Sequence, residues 1–191
     1  MLGGARGVGV SIYILNGRTI IVGEFYIETK RLVITEFDES MIKCVHQNSL
    51  DSDTRRFVPD EVFETVEDAT KIVLFLMNCY KGNTGPFVYP VLIKDSENIG
   101  CVQAVPIKDE WEIGYHIAKT HTGNGYATEA VSAFLPQIMK QLGISKIWGI
   151  CRGDNIASRK VLEKCSIILQ KNITYYQGKQ HEVCKYLYSV V

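Results

Sequence analysis

The sequence predicts an α+β domain (α/β mixed) in which helices flank a central, mostly antiparallel mixed sheet. Three observations predict it. Extended segments Phe87–Ile93, Asn98–Val105 and Glu110–Ala118 follow one another across turn-sized links, apolar residues recur at helical spacing from Ala127 to Leu142, and the last third alternates strand, helix and strand. Short links make neighbouring strands antiparallel, whereas a helical crossover joins parallel ones, so one sheet holding both is mixed.

At 191 residues, 46% hydrophobic and 22% charged, the chain can bury one sizeable core and is too short for two full domains. Its 21 basic residues balance 21 acidic ones, which removes any general pull toward nucleic-acid phosphates or anionic membranes. A small molecule, nucleotide or peptide fits better as partner, with no nucleic acid and no membrane. The six cysteines are scattered, with no CxxC pair, and His46, His116, His121 and His181 show no ligand spacing, so reduced, mostly buried thiols and no metal site are expected. No apolar run approaches the roughly 20 residues of a membrane helix, and no basic-then-apolar leader is visible; a cytoplasmic location is expected.

Taken in chain order, Val10–Ile14 and Thr19–Val22 flank Asn16-Gly17, which tolerates positive φ at both turn positions; residues 1–25 are read as a hairpin or a loosely attached extension. Arg31–Ile34 is a strand, after which Asp38 caps a short helix carrying Met41, Ile42 and Val45. Polar turn-formers between Leu50 and Pro59 predict a charged connector loop containing Arg55, Arg56 and Phe57. Thr65-x-x-Asp68 resembles a capping box for a helix burying Ala69, Ile72, Val73, Leu76 and Cys79. The helix from Ala127 to Leu142 ends at Gly143, and Pro136 inside it predicts a kink or an early stop. Lys146–Cys151 reads as a buried strand, Asn155–Lys164 as a helix, and Ile167–Tyr176 with Glu182–Val190 as a hairpin turning at Gln177-Gly178-Lys179.

The residues that carry chemistry start at Thr122-Gly123-Asn124-Gly125-Tyr126-Ala127, which follows a strand and opens a helix. Backbone N–H groups converge at such a helix start, where the dipole is positive, and glycines let backbone approach a phosphate closely; a pyrophosphate could bind there without a cationic side chain. A plain tight turn is the competing reading. The pattern is neither a complete GxGxxG fingerprint nor a P-loop, since no Gly-Lys-Ser/Thr follows.

Three motifs in succession are more specific: Glu112-Ile113-Gly114-Tyr115, then Gly123-Asn124-Gly125-Tyr126-Ala127-Thr128-Glu129-Ala130, then Asn155-x-x-Ser158-x-x-Val161-Leu162-Glu163-Lys164. This set resembles the GNAT acetyltransferases, in particular the branch of the ribosomal-protein N-terminal acetyltransferases RimJ and RimL, and Thr29-Lys30-Arg31-Leu32 is similar to that branch's opening strand. The resemblance implies an acetyltransferase domain over 26–191, a sheet splayed between its fourth and fifth strands, Glu110–Ala118 and Lys146–Cys151, and acetyl-CoA in the gap as co-substrate. The cofactor would be held by Thr122, Gly123, Asn124, Gly125, Tyr126, Ala127 and Thr128, by His116 and Ile117 at the strand end that supplies a carbonyl-polarising N–H, and by Asn155 and Ser158.

The same resemblance implies that Glu112 is the general base and that Ser158 contacts the leaving thiolate, each with a structural alternative: a carboxylate accepting backbone hydrogen bonds or holding Arg31, and an N3 residue in the helix start capped by Asn155. Arg55, Arg56 and Phe57 would line the acceptor side, and Tyr175 the opposite wall. Departures are visible. Thr122 stands where relatives carry Gln or Arg, Leu162 where many carry an acidic tyrosine, and Cys165-Ser166-Ile167 follows Lys164 in place of a Gly-Phe pair. Cys165, at the apolar end of a helix with no evident His–Asp set, reads as packing.

The acceptor is expected to be an amine, on a peptide or a small molecule. A lysine near ~10.4 costs about 4–5 kcal/mol to deprotonate at neutral pH and an α-amine near ~7.8 about 1, so weak base machinery favours a protein or peptide α-amine. Polyamine or aminoglycoside acetylation, which would need an acidic pocket, and an acyl-CoA-binding module without catalysis are the alternatives. The terminal hairpin's edge could also pair two subunits into a homodimer.

Overall fold

The computed structural model describes residues 11–15, 18–22, 25–94, 97–177 and 179–190, with side chains for 25–94, 97–171 and 182–190. Strands β1 (Ser11–Leu15) and β2 (Arg18–Val22) pair antiparallel as a separate two-stranded sheet; the Asn16-Gly17 turn lies outside the described residues. All remaining strands form one sheet: β3 (Ile27–Glu28), β4 (Leu32–Ile34), β5 (Phe87–Ile93), β6 (Asn98–Ile107), β7 (Glu110–Ile117), β8 (Lys146–Arg152), β9 (Ile168–Gln177) and β10 (Lys179–Ser189). Its order is β3-β4-β5-β6-β7-β8-β10-β9, antiparallel throughout except for the parallel pair β7 and β8. The mixed sheet expected from the strand–helix–strand order is therefore present, and its parallel pair is the one joined by the longest helix.

Helix α1 (Ile42–Ser49) follows a 3-10 turn whose cap Asp38 accepts from the Ser40 N–H at 2.7 Å. Helix α3 (Val66–Cys79) starts at the expected box, with Thr65 Oγ1 accepting from the Asp68 N–H at 3.1 Å. Between them the chain departs from the expected loop. Ser52–Phe57 forms a short helix, α2, because Asp51 accepts from the N–H groups of Asp53 and Thr54, both at 2.9 Å, and Asp53 adds negative charge to the first turn. Six residues are too few for hydrophobic periodicity to register, so the cap was the only readable sign.

Helix α4 (Tyr126–Leu142) crosses from β7 to β8 and buries Ala130, Val131, Phe134, Leu135, Ile138 and Met139, the predicted face. It does not stop at Pro136: buried residues on both sides anchor it, and a proline deletes only one backbone bond. Gly143 ends it at φ 65°. Helix α5 (Ile156–Lys164) follows β8. The core splits by face. Val102, Ala104, Ile113 and Ile147 pack with α4, whereas Phe37, Met41, Val73, Leu76 and Val88 form a second cluster under α1 and α3. No helix of the described residues is long and apolar enough to cross a membrane.

The terminal hairpin folds back so that β10, not β9, lies beside β8, paired from Val183 opposite Arg152 to Ser189 opposite Lys146. Its turn residue Gly178 lies outside the described residues. By contrast β7 and β8 pair only at Glu112 with Trp148 and Ile113 with Gly149. Beyond those two positions the strands part, and the sheet opens into the expected gap.

Candidate active site

The gap's mouth is shaped by the loop between β7 and α4. Thr122 closes a 3-10 turn over Lys119–His121, its hydroxyl donating to the Lys119 carbonyl at 2.9 Å. That hydroxyl is engaged within the loop. Asn124 likewise folds back, its Nδ2 donating to the carbonyls of His121 and Thr122 at 3.1 and 3.3 Å. Gly123 and Gly125 hold φ of 80° and 78°, a region in which a β-carbon is strained, and no side chain caps α4. The first N–H groups of α4 therefore have no intrahelical acceptor and face outward with the positive end of the dipole.

The loop is tied from behind by residues nearly a hundred positions away. Glu129 accepts from Thr29 Oγ1 at 2.6 Å, from the Arg31 backbone N–H at 3.0 Å and from Arg31 Nε at 2.6 Å. Arg31 also donates to the Asn124 carbonyl at 3.0 Å and lies 4.5 Å from the Tyr126 ring centroid. Arg31 is thus held by Glu129, not by Glu112. Glu129→Ala strands three donors and frees the loop; we expect the protein to lose about 1–3 kcal/mol of stability and its acetyl-CoA KM to rise about tenfold, read by denaturant titration and initial rates.

A groove of about 350 Å³ runs from this loop along α5 to the gap, lined by Ile117, Thr122, Gly123, Gly125, Ala127, Thr128, Asn155 and Ser158, with the cations Lys160 and Lys164 on its α5 side. Uncapped N–H groups, two positive-φ glycines and flanking cations fit a pyrophosphate-bearing co-substrate. The two lysines were not among the residues predicted. On the opposite wall His116 Nε2 lies 2.8 Å from Thr54 Oγ1 and 3.6 Å from Asp51 Oδ2, which joins β7 to α2.

Inside the gap stand Glu112, Gly114, Tyr115, Cys151, Asn155 and Ser158, with Phe57 and Val58 at its edge. Burial pushes the Glu112 carboxyl up to about 7, Lys185 opposing the shift. Asn155 caps α5 by accepting from the Ser158 N–H at 3.0 Å, so the predicted capping role is present. Ser158 Oγ lies 2.8 Å from the Tyr115 hydroxyl, which also reaches the Ser158 carbonyl at 2.8 Å. Tyr115 was missed as a site residue: it sits within the Glu112–Tyr115 motif, but its partner is on another element. Burial raises its phenol far above the usual range, so it stays protonated. Leu162 is buried and packs against Gly149.

The remaining predicted residues divide. Phe57 lines both groove and gap, flanked by Arg56 and Arg152 at 4.9 and 5.7 Å from its ring centroid. Arg55 is engaged by Glu64 at 2.5 and 2.8 Å, and Arg56 by Asp154 at 3.0 Å. The side chain of Tyr175 lies outside the described residues. Cys165 is buried, its sulfur 3.3 Å from Ser132 Oγ.

Comparison with known proteins agrees with this geometry. The acetyltransferase (GNAT) domain model matches residues 31–167. The uncharacterized N-acetyltransferase YnaD of Bacillus subtilis is 32% identical over 142 residues, 73% of this chain and 80% of YnaD. Among solved structures, a GNAT-family acetyltransferase from Bacillus anthracis superposes with a TM-score of 0.74 at 23% identity, covering 86% of this chain and 98% of its own. RimL, a ribosomal L7/L12 alpha-N-protein acetyltransferase solved in complex with coenzyme A, superposes with a TM-score of 0.75 at 21% identity, covering 87% of this chain and 98% of its own. With the family model spanning the splayed strands, the loop and the capped helix together, this chain belongs to the GNAT acetyltransferase family.

Proposed function

We propose that the protein transfers an acetyl group from acetyl-CoA directly to a primary α-amine of a peptide or protein, in the manner of the RimJ and RimL branch. The observation that carries the reading is a partly buried carboxylate, Glu112, in the gap that also holds the Ser158–Tyr115 pair. Acetyl-CoA supplies an activated thioester carbonyl; the chain supplies position, a base and a place for the sulfur.

A base near 7 takes a proton from an α-ammonium near ~7.8 at a cost of about 1 kcal/mol, but from a lysine near ~10.4 at about 4–5. The site is therefore matched to an α-amine. Glu112 first takes one proton from the ammonium and frees the nitrogen lone pair. As the neutral amine nitrogen then bonds to the carbonyl carbon, the C–S bond breaks, the sulfur leaves with that bond's electron pair, and the second proton shed by the nitrogen passes to the sulfur. Ser158 can donate to that sulfur once Tyr115 turns its proton from the Ser158 carbonyl to Ser158 Oγ, a switch the two 2.8 Å contacts allow. Cys151, the thiol inside the gap, is pushed up to about 11 by burial; it stays protonated at neutral pH and favours direct attack over an acetylated enzyme.

Ser158→Ala is expected to lower kcat about 10- to 100-fold, with Tyr115→Phe causing a smaller loss and the double variant no more than Ser158→Ala alone. Additive losses in presteady-state rates would disconnect the pair. The reading itself is tested by incubating the protein with acetyl-CoA, mixed peptides and polyamines and identifying products by mass spectrometry. An acetylated peptide α-amine supports it; polyamine products alone would replace it with small-molecule acetylation.

A further inference from the structure

Next to the gap, a second cavity of about 340 Å³ lies between α1, α3 and the sheet. Its walls include Phe37, Val45, Phe63, Ile72 and Val88, and its floor is the β6 face carrying Cys101, Gln103 and Val105. The register of β6 and β7 sets Val105 opposite Glu112, Gln103 opposite Gly114 and Cys101 opposite His116. Directly opposed residues share a face of the sheet, so the carboxylate of Glu112 and the cavity floor lie on the same side, in adjacent rows.

One contact separates the two spaces. Gln103 Nε2 donates to Glu61 Oε1 at 3.0 Å, and both residues border cavity and gap alike. Gln103 lies over Gly114, where a β-carbon would come within 2.6 Å of its amide nitrogen, so the bare backbone at Gly114 is what gives this threshold room. Asp60 stands beside Glu61 at the cavity, and among the described residues no cation pairs with either carboxylate.

We infer that the acceptor is a primary amine with a large apolar or aromatic group close to the nitrogen. The nitrogen sits at Glu112, the ammonium is drawn in by Glu61 and Asp60, and the apolar group occupies the cavity under α1 and α3. This rests on the acetyl-transfer reading and adds its substrate class. The acidic threshold matches a single positive charge, while the apolar interior rejects a second one, because a polyamine would bury an unpaired ammonium there. Small first residues such as glycine or serine would leave the walls unfilled and forgo the gain from removing apolar surface from water.

The test is a set of peptides identical except for a first residue of Phe, Leu, Ser or Gly, with 2-phenylethylamine and spermidine alongside, each assayed for kcat/KM with acetyl-CoA. We expect the Phe and Leu peptides to exceed the Gly peptide by about 10- to 100-fold. Activity on 2-phenylethylamine equal to that of the Phe peptide identifies a free aryl amine as sufficient; a much lower value identifies the peptide as the source of the apolar group. Val45→Phe and, independently, Ile72→Phe fill the cavity; either is expected to reduce the Phe-over-Gly preference below threefold with acetyl-CoA KM unchanged, which also verifies folding. Ser and Gly peptides turned over as well as Phe and Leu, with both variants indifferent, would overturn the inference and leave acetyl transfer standing. Coenzyme A binding with no amine acetylated would overturn both.

Discussion

Glu112→Gln is expected to lower kcat about 10²- to 10⁴-fold, the usual contribution of a positioned base, without changing acetyl-CoA binding. The amide keeps the shape of the side chain and removes only its ability to take a proton. With Glu112 as the proposed base the ionised carboxylate would be the active form, so wild-type kcat is expected to climb with pH and bend near the carboxyl's value of about 7, and the variant to lack this bend. Stability moves the other way. Burial holds the folded carboxyl above its ordinary value of 4.5, so the native state binds the proton more tightly than the unfolded chain, and stability is lost as pH rises from about 4.5 through about 7. At 1.36 kcal/mol per unit the loss reaches about 3 kcal/mol at pH 8, and Gln is spared it. Glu112→Gln should therefore melt higher than wild type at pH 8 and near-equally at pH 4. A variant that retains both the bend and the wild-type melting curve would remove Glu112 from the mechanism.

Gly125→Val is expected to raise the acetyl-CoA KM about 100-fold. The loop has open space at this position, the nearest outside atom to an added β-carbon being Arg31 Nη2 at 3.7 Å, so the effect comes from backbone conformation alone. A β-branched residue is strained by about 1–2 kcal/mol at φ 78° and relieves that strain by turning the N–H groups at the start of α4 away from a bound phosphate. Hydrogen bonds to a charged group are worth about 1.5–3 kcal/mol each, and losing one or two gives the stated factor. The opposite end of α4 supplies the control. Gly143 holds φ 65° with nothing near its added β-carbon, so Gly143→Val carries similar strain far from the loop. Equal melting losses with a KM effect at Gly125 alone are the expected pattern; equal KM effects at both would mean that the loop does not hold the co-substrate.

How far these features were legible depended on whether their cause was local. The α4 face, the Thr65 box and the Asn155 cap each rest on residues within one or two turns, and each is present where the pattern placed it. The parallel pair of β7 and β8 followed from the helix that must cross between them. Features whose partners lie far apart in sequence were not readable. Tyr115 finds Ser158 forty-three positions on, and Glu129 finds Arg31 across ninety-eight. Neither pairing leaves a periodic trace, so the arginine was instead considered as a partner of Glu112. Helix α2 failed for the opposite reason, being too short to show any period. The cavity beneath α1 and α3 has walls from six separate elements, and only the folded sheet brings them to one face.

The one-sided support of β8 has a consequence for how the enzyme comes into being. Two pairings join this strand to β7, while its whole length is bonded to β10. A ribosome therefore releases Glu112, the Thr122–Ala127 loop and the capped Ser158 before it releases Lys179–Ser189, the stretch that braces the far wall. Until those residues emerge, a nascent chain has every reactive group but only two bridges fixing the distance between them. Acetyl transfer should begin only once that stretch has emerged and the brace locks.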